Sequence, residues 1–94
     1  MDPTISSLVA YVTVLTRSAD ETARAEDRAA YSQHLAAAAK MFVAAHLGQN
    51  AELEALILTE RVAYGRGYLT GAPGDAAERA FDTFARTVEG DHAA

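Results

Sequence analysis

Tyr64-Gly65-Arg66-Gly67-Tyr68 is the stretch of this chain with the strongest claim to a molecular task. Two glycines inside a helical segment cost about 1 kcal/mol each relative to alanine, so something must offset them. Close approach of another helix, a local break, or access of a ligand to the backbone would each do so. Tyr64 and Tyr68 share a face at i,i+4 with Arg61 beside them, and tyrosine and arginine are common anchors of protein interfaces. The plainer alternative is a helix that kinks or stops before Gly71, with its tyrosines half-buried at a bundle edge. Gly-Arg-Gly matches neither standard phosphate-binding glycine pattern, so a phosphate cradle ranks last.

Glu60 is the one carboxylate set among large apolar residues, between Leu53, Leu56, Ile57 and Tyr64. A carboxylate facing a core must find a partner or become neutral. A lone acid is poor evidence for catalysis, and a structural pairing with an arginine or a tyrosine hydroxyl is the stronger expectation. Glu60 and His34 are therefore candidates for buried polar groups. His34 and His46 lie twelve residues apart on one helix and point about 120° away from each other. With no Glu-x-x-His or His-x-x-x-His pattern, the sequence supports no metal site. The serines Ser6, Ser7, Ser18 and Ser32 occupy no nucleophile elbow, and there is no cysteine. No catalytic residue, metal or cofactor is assigned, and the chain is expected not to be an enzyme.

The absence of cysteine also excludes a disulfide framework and fits a reducing cytoplasm. Seven arginines to one lysine, with abundant alanine, suggest a GC-rich bacterial source. A formal charge of −5 and dispersed arginines oppose phosphate binding, so nucleic acid is not an expected partner. Residues 5–15 are apolar, but Asp2 and Pro3 stand where a signal peptide carries positive charge, and no run reaches the ~20 apolar residues of a membrane span.

The elements that must position these residues are four helices in one domain, 1–94. The first is expected over 3–16, with Asp2 as cap, Pro3 at its first position and Ile5, Leu8, Val9, Val12, Leu15 and Thr16 on one side. The second is expected over 19–47, opened by a Ser18/Glu21 capping box and closed by Gly48, with Tyr31, Leu35, Ala38, Phe42 and Ala45 inward. The Ala36–Ala39 run maximises helix propensity and would also permit a tight helix contact. The third is expected over 51–69, capped by Asn50. The fourth is expected over 75–89, opened by Asp75 and Glu78, with Ala77, Phe81, Phe84 and Val88 inward, Gly90 as its stop and 91–94 as a frayed tail.

Helix 51–69 is apolar on two opposite sides. Leu53, Leu56, Ile57, Tyr64 and Tyr68 form one stripe; Ala51, Ala55, Leu58, Val62 and Leu69 form the other. A surface helix in a small monomer needs only one. The second suggests either a central helix or a face covered by another chain, and periodicity alone does not choose which stripe faces inward. The expected architecture is thus an all-α four-helix bundle, completed by a second copy or acting on another protein. Its candidate interface is Leu58, Arg61, Val62, Tyr64, Arg66, Tyr68 and Leu69. Two rival functions fit less well: an acidic antitoxin or immunity-type protein using Glu52, Glu54, Asp75, Glu78 and Asp82 against a basic partner, and a ligand binder or enzyme with a bundle-core pocket near Glu60, Tyr64 and His34.

Overall fold

The computed structural model describes residues 2–93, with side chains through residue 90. Its helices are α1 (Pro3–Glu21), α2 (Ala25–His46), α3 (Asn50–Gly65) and α4 (Ala72–Ala93), and no strand occurs among the described residues. They form a four-helix bundle measuring 41 × 26 × 19 Å. α1 packs most extensively on α4 and next on α2, and α2 packs on α3. The seam between α3 and α4 is narrow, and α1 and α3 occupy one diagonal of the bundle.

α1 starts as its sequence predicts: Asp2 accepts from the Thr4 N–H at 2.8 Å, and Pro3 needs no donor in the first turn. It does not stop at residue 16. Ser18 is buried, and its hydroxyl donates to the Pro73 carbonyl at 3.3 Å, so the start of α4 covers a turn of α1 that local spacing assigns to a cap. The Ser18/Glu21 capping box is therefore not formed, and the chain breaks at Thr22–Arg24 instead. Arg24 takes the N-cap position of α2 with no side-chain cap bond; it pairs with Glu26 and Asp27, acids suited to the helix dipole.

The buried faces of α1 and α2 are turned slightly from the predicted ones. α1 buries Leu8, Tyr11, Leu15 and Ser18 and leaves Val9 exposed; α2 buries Tyr31, His34, Ala38, Met41 and Ala44, with Leu35, Phe42 and Ala45 half-buried beside them. Of the alanine run only Ala38 is fully buried, as the close contact point. α2 ends at His46, and Gly48 two residues on turns the chain at a φ of +67° that only glycine adopts without strain.

α3 ends at Gly65, four residues short of its predicted limit, and Gly67 at φ +72° turns the chain out of the helix. Gly67 thus sits beyond the helix, and no interior penalty arises there. Asn50 is the first helical residue rather than the cap, and Gln49 precedes it without a capping bond. α4 begins at Ala72, three residues early, because Pro73 is tolerated in a first turn and Asp75 N–H already bonds to the Gly71 carbonyl at 2.9 Å. Asp75 is a first-turn acid rather than a cap. Gly90 does not stop α4: its backbone stays helical to Ala93, so the predicted fray at 91–94 is not found over 91–93, and residue 94 lies outside the described residues. Ala77, Phe81, Phe84 and Val88 are all buried, as their spacing predicts.

Candidate interaction surface and the buried polar cluster behind it

α3 separates its two stripes. Leu53, Ile57, Glu60 and Tyr64 face the core, while Ala51, Ala55, Leu58 and Val62 face outward. Leu58 is 63% and Val62 48% exposed. The first stripe carries the larger apolar side chains, and its two polar tips, Glu60 and Tyr64, find partners on α1 and α2.

Tyr11 on α1 donates its hydroxyl proton to Glu60 Oε2 at 3.1 Å and lies 2.7 Å from the Tyr64 hydroxyl. A phenol has one proton, so with Tyr11 donating to Glu60, Tyr64 must donate to Tyr11. The order Tyr64 to Tyr11 to Glu60 ties α3 to α1 across the diagonal. His34 on α2 approaches from the other side, with Nδ1 3.0 Å from Glu60 Oε1; the oxygen lies off the N–H direction, so this is a close contact rather than an aligned hydrogen bond. The His34 ring stacks on Tyr64 at 4.6 Å, and Tyr64 stacks on Phe81 of α4 at 5.3 Å. One cluster thereby joins all four helices.

Burial holds both phenols protonated well above their ordinary range. For Tyr11 desolvation leads, followed by the neighbouring Tyr64 and Glu60. For Tyr64 desolvation again leads; the Tyr11 hydrogen bond opposes it, and the Glu60 and Glu78 carboxylates reinforce it. Tyr11, Tyr64 and Glu60 are joined by hydrogen bonds inside the core, while the buried His34 Nδ1 has only its close contact with Glu60. Tyr11 carries the network, yet the sequence reading passes over it. Its signal was the 8, 11, 15 spacing: a tyrosine on a buried helix face needs a partner for its hydroxyl.

The remaining candidate residues scatter. Tyr64 is buried and stacked on both faces, which removes it as an interface anchor. Leu69 is half-buried against the core and lies under Gly74, so it does not extend the outer stripe. Arg61 is exposed but paired with Glu89 of α4. Arg66 is exposed at the α3 C-cap, and Tyr68 is 51% exposed beyond it, off the helix and away from Tyr64. Val43 and Leu47, near the end of α2, are further exposed apolar residues.

Two depressions flank α3. One, of about 570 Å³, opens at the narrow α3–α4 seam between Arg61, Tyr64 and Gly65 on one side and Asp75, Glu78, Arg79, Phe81 and Asp82 on the other. The second, of about 680 Å³, lies where α2 turns into α3 and is lined by Lys40, Val43, Ala44 and residues 49–52. Of the five acids that could neutralise a basic partner, Asp75, Glu78 and Asp82 line the first depression and Glu52 the second, while Glu54 lines neither. Arginines interrupt the first group, and Asp82 is already paired with Arg86.

Among the described residues, no group of three or more histidine, aspartate or glutamate side chains could hold a metal ion, and no helix is long and apolar enough to cross a membrane. Compared with known proteins, the chain matches no family model, no curated sequence and no solved structure.

Proposed function

We propose that this chain is a non-enzymatic interaction module that associates with a second copy of itself through the outer face of α3. One observation carries the proposal: a helix already anchored by one apolar stripe presents a second, with Leu58 and Val62 exposed at its centre. Covering such side chains is worth about 1.5–3 kcal/mol each when burial is complete. The polar cluster supports a structural role for Glu60 and His34 rather than chemistry, because Tyr11, His34 and Glu60 are buried and engaged with one another. A cytoplasmic, bacterial setting belongs to the same proposal and rests on the cysteine-free, arginine-rich composition.

Size sets the strength. A 16-residue helix spans about 24 Å, so one such face offers less than the roughly 800 Å² per partner of a standard interface. The expected assembly is a reversible dimer in the micromolar range. A dilution series followed by amide NMR from about 1 mM to 10 μM brackets that range. Signals of residues 51–66 should move with concentration while those of the α1–α4 face stay fixed. Shifts that are absent throughout, or confined to another face, would contradict the proposal.

A further inference from the structure

Ala51, Ala55, Leu58, Val62 and Gly65 recur along α3 in steps of four and three, the spacing of a coiled-coil seam, and all five are exposed. The flanks of this seam differ in charge along its length. Glu52 follows the first seam residue and Arg66 the last, so they flank the same side of it at opposite ends. Neither has an ion-pair partner among the described residues. The hollow at the α2–α3 turn shares Ala51 and Glu52 with the seam and so continues it. At the other end, three residues past Gly65, stands the half-exposed ring of Tyr68.

We propose that two copies pair α3 against α3 in an antiparallel two-fold arrangement, with Leu58 of each on Val62 of the other, so that Tyr68 of each copy seats in the other's α2–α3 hollow. The register follows from the small residues: Leu58 opposite Val62 also sets Gly65 opposite Ala55, where the backbones can come close. A Cβ built on Gly65 meets nothing within 4 Å, so this position is open to a neighbour. Beyond Gly65 the chain leaves the helix at the end of the seam that lies nearest Ala51 and Glu52 of the second copy, which border the hollow. Its lining combines Val43 with Lys40, Gln49 and Glu52, a setting suited to a ring with a polar tip. The same arrangement brings Glu52 of each copy toward Arg66 of the other. A parallel pair would leave Glu52 and Arg66 at opposite ends of the seam, out of reach of each other, and would set hollow beside hollow. Only the antiparallel form lets these opposite charges meet across the seam, so they favour it.

The inference rests on α3 being a self-interface, and the test separates the two claims. Because the chain has no cysteine, Leu58→Cys and Val62→Cys each introduce a unique thiol. Under mild oxidation, an equimolar mixture of the two variants should give mixed disulfide dimers faster than either variant alone gives its own. Tyr68→Ala should raise the dimer dissociation constant about thirtyfold, as loss of an interface anchor does, while leaving the helical circular dichroism and its thermal transition in dilute solution unchanged. Faster disulfide formation by each variant alone would overturn the antiparallel arrangement and leave the α3 interface standing. A Tyr68→Ala dissociation constant within twofold of wild type would overturn the seating of the ring. A wild-type chain that stays monomeric at all concentrations would remove both claims.

Discussion

Replacing Tyr11 by phenylalanine tests whether the polar cluster holds the bundle together. The ring would remain against Phe81, whose centroid lies 5.5 Å away, so the change removes one oxygen and little packing. That oxygen serves two buried partners: it donates to Glu60 at 3.1 Å and accepts from Tyr64 at 2.7 Å. Each ordinary hydrogen bond contributes about 0.5–1.5 kcal/mol, and each buried group left without a partner costs about 1–3 kcal/mol. The two orphaned partners together set the expected loss at about 2–6 kcal/mol, against a total stability of roughly 5–14 kcal/mol for a chain of this length. At about 4–8 °C per kcal/mol, a loss of 3 kcal/mol lowers Tm by about 12–24 °C. Guanidinium denaturation followed by circular dichroism should show a lower midpoint at an unchanged slope. The double variant Tyr11→Phe, Glu60→Met should lose less than the two single variants together, by about 1 kcal/mol or more, because it orphans fewer groups. A loss under about 0.5 kcal/mol for Tyr11→Phe would refute this reasoning, since the partners would then have to be solvated or otherwise satisfied.

Two further predictions concern pH and a close backbone contact. Tyr11 and Tyr64 are held protonated in the fold, so their contribution is complete below the unfolded phenol value near pH 10 and is lost as pH rises beyond it. The loss is about 1.4 kcal/mol per pH unit for each phenol, and an alkaline titration followed by NMR of labelled tyrosines should show the Tyr11 and Tyr64 phenolates appearing together with helix loss; ionisation of either ring in an intact bundle would contradict it. Gly74→Ala would place a Cβ 2.9 Å from the Leu69 carbonyl carbon, a backbone atom that cannot swing away. That overpacking should cost about 1–3 kcal/mol and outweigh the gain of up to about 1 kcal/mol from helix propensity, whereas Gly90→Ala, in open space, should show only the gain on thermal unfolding.

The helices were legible where local chemistry acts alone. Asp2-Pro3 opens α1, Gly48 turns the chain after α2, and the spacing of Ala77, Phe81, Phe84 and Val88 marks the inner face of α4. What escaped depends on tertiary contact. Ser18 has the local spacing of a cap, but the Pro73 carbonyl arriving from residues far along the chain makes it a helix interior residue. Both stripes of α3 are apolar, and the inward one carries the larger side chains. The partners of its Glu60 and Tyr64 lie on α1 and α2. Tyr11 was invisible as a network residue until its hydroxyl could be placed beside those two. Tyr64 and Tyr68 share a face only while the helix continues, and Gly67 ends that relationship.

The most direct test of a self-associating α3 face is molar mass by light scattering over a concentration series, on wild type and on Val62→Glu. Val62 is 48% exposed on the outer face of α3, so the charge should leave the monomer folded. The expected result is a wild-type mass rising from about 10 kDa toward about twice that with concentration, and a variant that stays at the monomer mass throughout. A wild type that stays monomeric, or a dimer that Val62→Glu does not weaken, would contradict the account.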